Sequence, residues 1–280
     1  MRVISLGWGV QSFALAAASA LGILPKVDVA IHADTTHERV PTYQFAERWT
    51  PWLEERGVKV VTVKPTRCFS PQANRWGGVF IPAYTIGEGV YGQLRRQCTY
   101  DWKIAPIRRW LQQHRNGESV ELWQGITLDE AKRMALSNVR YINNYYPFLE
   151  SDLWNGRMMT RADAKQLLID NGLEVPERSA CYFCPFHSKA EWRNIRDSED
   201  GDWERAIEFD YGLRKLRPPY DLFVCDQRVP LDKADLRTLE DHGQMKLDIH
   251  GDALRGNRSG HEVRRRQGRG VDCNREARTG

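Results

Sequence analysis

The chain has 280 residues, of which 41% are hydrophobic and 10% aromatic, a composition that suits a globular protein with a core and excludes a disordered or fibrous one. Its formal net charge of +4 falls entirely in residues 251–280, where eight Arg face four acidic residues, so the body is neutral and is not built as a generic polyanion binder. No run approaches the roughly 18 apolar residues of a membrane span, and no charged leader with a small-residue cleavage site opens the chain. The expectation is a cytoplasmic location with no membrane partner, where the six cysteines point to metal or redox chemistry before disulfides.

Taken in chain order, "RVISL" is a short apolar strand ending at Gly7, and "SFALAAASAL" is a helix with Ser12 as N-cap or in its first turn. "VDVAIHA" is the second strand. Residues 41–56 are helical from a Pro start, with a kink or break expected at Pro51, and "VKVVTV" is the third strand. Strand and helix alternating in this way predict βαβ units: an α/β fold with an open parallel sheet and helices on both faces.

Residues 64–97, rich in Pro and Gly, read as a long loop near the site. Helix returns over 99–114, a strand at "VELWQGI" and a helix at 128–137, while "NNYYPFLES" reads as irregular. Helices over 160–171 and 188–216 flank a Cys-x-x-Cys pair. The expected domains are a nucleotide-binding part over 1–140, a mainly helical cysteine-bearing region over 141–250, and a basic tail over 251–280 that is disordered in isolation.

The stretch "SLGWGVQS" carries the first functional signal. A strand running straight into a helix presents free N–H groups and the positive end of the helix dipole, and glycines let an anion approach. Ser5, Gly7, Gly9, Gln11 and Ser12 are therefore candidate phosphate contacts, against the plainer alternative of a tight glycine turn. The spacing is neither the dinucleotide fingerprint nor the lysine-bearing P-loop. Asp34 ends the second strand, where ligands of parallel sheets bind, and is a candidate for a ribose or base, or else the N-cap of the next helix.

"SLGWGVQS", "ADTTHE" followed by Pro41, "RRQCTYDWKIAPI", "WQGITLDEAKRM", "YYPFLE" and "SACYFCPF" occur in that order. Together they resemble the phosphoadenosine-phosphosulfate-reductase-like branch of the PP-loop superfamily of ATP pyrophosphatases, over roughly residues 1–210. The resemblance implies the adenine nucleotide α-hydrolase type of sheet, with adenine nucleotide, ATP and Mg²⁺ as ligands, and extends the nucleotide site to Thr35, Glu38 and Gly125. Gln11 stands where the pyrophosphatase loop has an Mg²⁺-holding Asp. The loop resembles a hybrid of two branches: Ser12 is similar to the ATPases, and Gly9 with Gln11 to the reductases. Trp8 stands where the family often has Gly and is expected to narrow the pocket. Asp129 and Glu130 are candidate replacement Mg²⁺ ligands, or else the acidic first turn of a helix.

Cys181 and Cys184 form half a metal site by spacing, or else are buried structural thiols without metal, and the resemblance supplies Cys98 as a third ligand. Three thiolates suit a 4Fe–4S cluster with one open iron, or zinc. His187, Cys225, Cys273 and an exogenous group are the choices for a fourth position. Arg95, Arg96, Lys103 and Arg133 are candidate phosphate or charge-stabilising groups, or else salt-bridged helix surface. The tail stretch "RRRQGRG" (264–270) suits a nucleic acid backbone, or else is a solubilising tail. The expected function is ATP-dependent adenylation coupled to thiolation of a nucleic acid or nucleotide, with a sulfur-donor protein and a homodimer as partners. Sulfonucleotide reduction, and a non-catalytic nucleotide-binding module with structural zinc, are the alternatives.

Overall fold

The computed structural model describes residues 1–65, 79–238, 240, 241 and 243. Met1–Thr238 forms one compact unit. Its central sheet has five strands: β1 Arg2–Ser5, β2 Val29–Ala33, β3 Val60–Val63, β6 Val120–Trp123 and β7 Ile142–Tyr145. They lie in the order β3-β2-β1-β6-β7, with every neighbouring pair parallel. Alternate side chains leave opposite faces, so each strand feeds two cores. Ile4 and Ala30 join the core beneath α1 (Val10–Ala20) and α2 (Val40–Glu55), while Val3, Val29, Ile31 and Ala33 join the core beneath α3 (Ala105–His114). This is the expected α/β arrangement with helices on both faces.

α1 is Ala-rich and almost wholly buried, which lets it lie close against the sheet, and α4 (Arg161–Asp170) belongs to the same core. α2 runs unbroken through Pro51, so the expected split does not occur. Pro51 removes one amide donor, and the Thr50 hydroxyl donates to the Ala46 carbonyl nearby at 2.7 Å.

Several expectations are corrected. Residues 84–93 are a hairpin, β4 (Tyr84–Gly87) and β5 (Val90–Gln93), closed by Glu88 and Gly89 at φ 50° and 74°, the left-handed pair of a tight two-residue turn. β4 also pairs with β8 (Asp221–Phe223), giving a three-stranded antiparallel sheet. The cysteine-bearing region is mainly helical, as expected, and its α5 (Lys189–Asp197) and α6 (Asp202–Leu213) share a core with this sheet. Residues 128–137 yield only a 3₁₀ segment, Leu128–Arg133, and part of "NNYYPFLES" is β7. The parallel sheet thus extends past residue 140. Among the described residues, no helix is long and apolar enough to cross a membrane. Cys68, Cys273 and the 264–270 tail lie outside the described residues.

Candidate functional site

The chain leaves β1 to one side, through β2 and β3, and returns to the other side as β6. The order reverses between β1 and β6, and a crevice opens there at the carboxyl ends of the strands. The loop after β1 and the loop after β6 meet at this point. A Cβ on Gly125 would lie 2.8 Å from both Gln11 C and Ser12 N, so only glycine permits the contact. Gly125 thus has a packing reason for its identity.

A cavity of about 420 Å³ fills the crevice. Gly9, Gln11 and Ser12 line it at the start of α1, with Thr35, Gly125, Arg96, Lys103, Glu130 and Arg133. Cys98, Cys181 and Cys184 line the same cavity. Sequence reasoning missed Arg161, Arg178 and Ser179, which also face it. Arg161 carried a signal: a cation in the first turn of a helix opposes the helix dipole. Ser5, Gly7, Asp34, Glu38, Arg95 and Asp129 do not line the cavity.

α1 begins without a side-chain cap and without an acidic residue in its first turn. The first helical bond runs from Phe13 N to Gly9 O at 3.0 Å, and the N–H groups of Val10, Gln11 and Ser12 find no acceptor among the described residues. The Ser12 hydroxyl turns back instead, accepting from Gly7 N at 3.1 Å and donating to Gly9 O at 3.2 Å. Trp8 does not narrow the cavity. It is 2% exposed, with its ring about 6 Å from those of Phe13, Phe45 and His32, and its backbone sits at φ 57°.

Asp34 neither caps α2, whose N-cap is Arg39, nor faces a ligand cavity. Its Oδ1 accepts from Thr36 N at 2.7 Å and from the Tyr43 hydroxyl at 2.8 Å, and Oδ2 lies 3.4 Å from Lys64 Nζ. Burial pushes its carboxyl up, but these donors outweigh it and hold the pKa below the usual carboxylate value. Asp34 thereby fixes the turn at Thr36, whose φ is 62°. Asp129 accepts from Arg161 N at 2.9 Å at the start of α4, and Glu130 Oε2 takes Gln11 Nε2 at 3.1 Å and Arg133 Nη1 at 2.8 Å. Both candidate Mg²⁺ ligands already hold protein partners.

Glu38 is 1% exposed and lies behind the cavity wall, 2.9 Å from Lys103 Nζ. Burial works against the lysine charge, but the Glu38 carboxylate prevails and raises its pKa. Thr35 Oγ1 links this pair to the cysteine loop, 3.4 Å from Glu38 Oε1 and 3.6 Å from Cys181 Sγ. Burial pushes the Cys181 thiol well up, and the Cys184 thiol up as well, favouring neutral sulfhydryls. His187 donates from Nε2 to the Cys181 carbonyl at 2.9 Å, leaving Nδ1 buried without a partner among the described residues. Burial pulls its pKa down to about 4. Cys225 is a core residue, 1% exposed.

The three thiols share a wall, but among the described residues no three Cys, His, Asp or Glu side chains converge as a metal ion requires. As it stands this arrangement does not fit a bound cluster or zinc.

No protein-family profile matches the sequence, and no curated protein sequence does. Among solved structures, the chain is similar to phosphoadenylyl-sulfate (PAPS) reductase from Candida auris in its phosphate complex, with 13% identity over 63% of this chain and 75% of that one and a TM-score of 0.42. Strand order and cavity lining together make this chain an open α/β protein with a cation-lined cavity at its topological switch point.

Proposed function

We propose that this chain is an enzyme that binds an adenine nucleotide in the switch-point cavity and uses it for sulfur chemistry. One observation carries the reading: five cations (Arg96, Lys103, Arg133, Arg161 and Arg178), the uncapped start of α1 and three cysteine thiols line one cavity of about 420 Å³. Phosphates are held by the α1 amides with Arg133 and Arg161. The thiols stand where a sulfur-bearing or sulfur-accepting group would reach them. In the first form of this reading, an acceptor oxygen attacks the α-phosphate of ATP and pyrophosphate leaves; a sulfur nucleophile then displaces AMP. The acceptor is a nucleotide or nucleic acid.

A second reading is sulfonucleotide reduction. It is favoured by the engagement of Asp129 and Glu130 with protein partners, which leaves no free carboxylate among the described cavity residues to hold Mg²⁺. The two are separated by product. Pyrophosphate and AMP from ATP with Mg²⁺ select adenylation; sulfite from a sulfonucleotide in the presence of a dithiol selects reduction. If equilibrium titration finds binding of neither nucleotide, the site assignment is wrong.

A further inference from the structure

Glu130 is the one carboxylate among the described residues lining the cavity, facing five cations. A single oxygen, Oε2, takes both the Gln11 amide at 3.1 Å and the Arg133 guanidinium at 2.8 Å. Its side chain is 28% exposed and that of Arg133 61%, so the pair is open to water and weakly held. A carboxylate and a phosphate present the same thing to an arginine: two anionic oxygens at the spacing of its fork. Arg133 and the amide of Gln11 are therefore occupied by an anion that belongs to the protein.

Building on the nucleotide reading above, we propose that Glu130 is an internal counter-anion, which an incoming phosphate displaces from Arg133. Its charge repels every anionic ligand, and its hold on Arg133 must be exchanged before that cation contributes. Inorganic phosphate exchanges one such contact for another and gains little. A nucleotide with several charges also reaches Arg96, Lys103 and Arg161, and binds despite the exchange. This role is opposite in sign to that of an Mg²⁺ ligand. Neutralising an Mg²⁺ ligand weakens the binding of metal-complexed nucleotide, whereas neutralising a counter-anion tightens the binding of free anions.

The test is isothermal titration of inorganic phosphate, pyrophosphate and ATP, each in EDTA and in Mg²⁺, against the wild-type chain and Glu130→Gln. The glutamine keeps the shape and can still accept from Gln11; Glu130→Ala serves as a second variant. Metal-free anions should bind about three- to tenfold tighter to both variants, the range expected when a local charge repulsion is removed and an arginine is released. In an Arg133→Ala background the part of the gain that comes from releasing the arginine should be lost, leaving a smaller gain from the removed charge alone. Equal or weaker binding by Glu130→Gln, with ATP still bound by the wild type, overturns the inference and leaves the nucleotide reading standing. A gain of undiminished size without Arg133 overturns the exchange and with it the inference. Absence of binding in every protein overturns both.

Discussion

Trp8 occupies a left-handed backbone conformation that bulky residues rarely adopt, and the packing of its ring maintains it. The indole is an anchor that sets the path of the loop entering α1. Trp8→Ala should lower stability by about 3–5 kcal/mol, the usual range for emptying a buried aromatic site, read as a shift in urea midpoint; a loss below about 1 kcal/mol would show that the ring is not the anchor. Gly125→Ala should cost about 1–3 kcal/mol by overpacking and also weaken nucleotide binding, since the methyl meets the first turn of α1. The Arg161 guanidinium has no carboxylate partner among the described residues, while its backbone N–H donates to Asp129. Its removal in Arg161→Ala should weaken ATP binding about tenfold or more, with stability changed little, consistent with one charge-assisted contact.

Whole elements decide how the thiols are presented. The cysteine loop is tied to the 34–40 segment by Arg39 N donating to Ala180 O at 3.2 Å and Tyr182 N to His37 O at 3.0 Å. Arg39, 5% exposed, lies among Glu177, Asp200 and Asp202 on the same side. His187 closes the loop from within, and its folded pKa of about 4 lies below the ordinary 6.5. The unfolded chain therefore takes up a proton that the folded one refuses. This contribution to stability is complete above about pH 6.5 and is lost as pH falls toward 4. Melting temperature should drop across that window, and His187→Asn should flatten the drop; an unchanged slope in the variant would assign it to other groups. The β4–β5 hairpin is hidden in the sequence because Pro and Gly dominate its surroundings. Its "IGEGVY" stretch nonetheless holds the tight-turn pair between residues that alternate. The segment 128–137 has the composition of a helix, but Ala135 is held instead by Tyr146 and Asn144, and the helix stops after Arg133.

Across the molecule, the reversal of strand order between β1 and β6 creates the cavity. It brings residues 9–12, 96–103, 125–133 and 178–186 to one place. The parallel sheet, the strand-to-helix turn at Gly7–Ser12 and the pairing of Cys181 with Cys184 are all legible along the chain. Each depends on neighbours within a few residues: hydrophobic period, turn chemistry and spacing. Which charged groups are free is settled only when the chain has folded. Asp34, Asp129, Glu130 and Glu38 all look like ligand carboxylates in the sequence, yet each is engaged by partners distant along the chain or by the backbone of its own turn. A carboxylate's availability depends on which donors folding brings within about 3 Å of it, and those donors come from other strands and loops. Trp8 follows the same rule: local sequence places it in the loop, and the aromatic cluster of α1 and α2 draws it into the core.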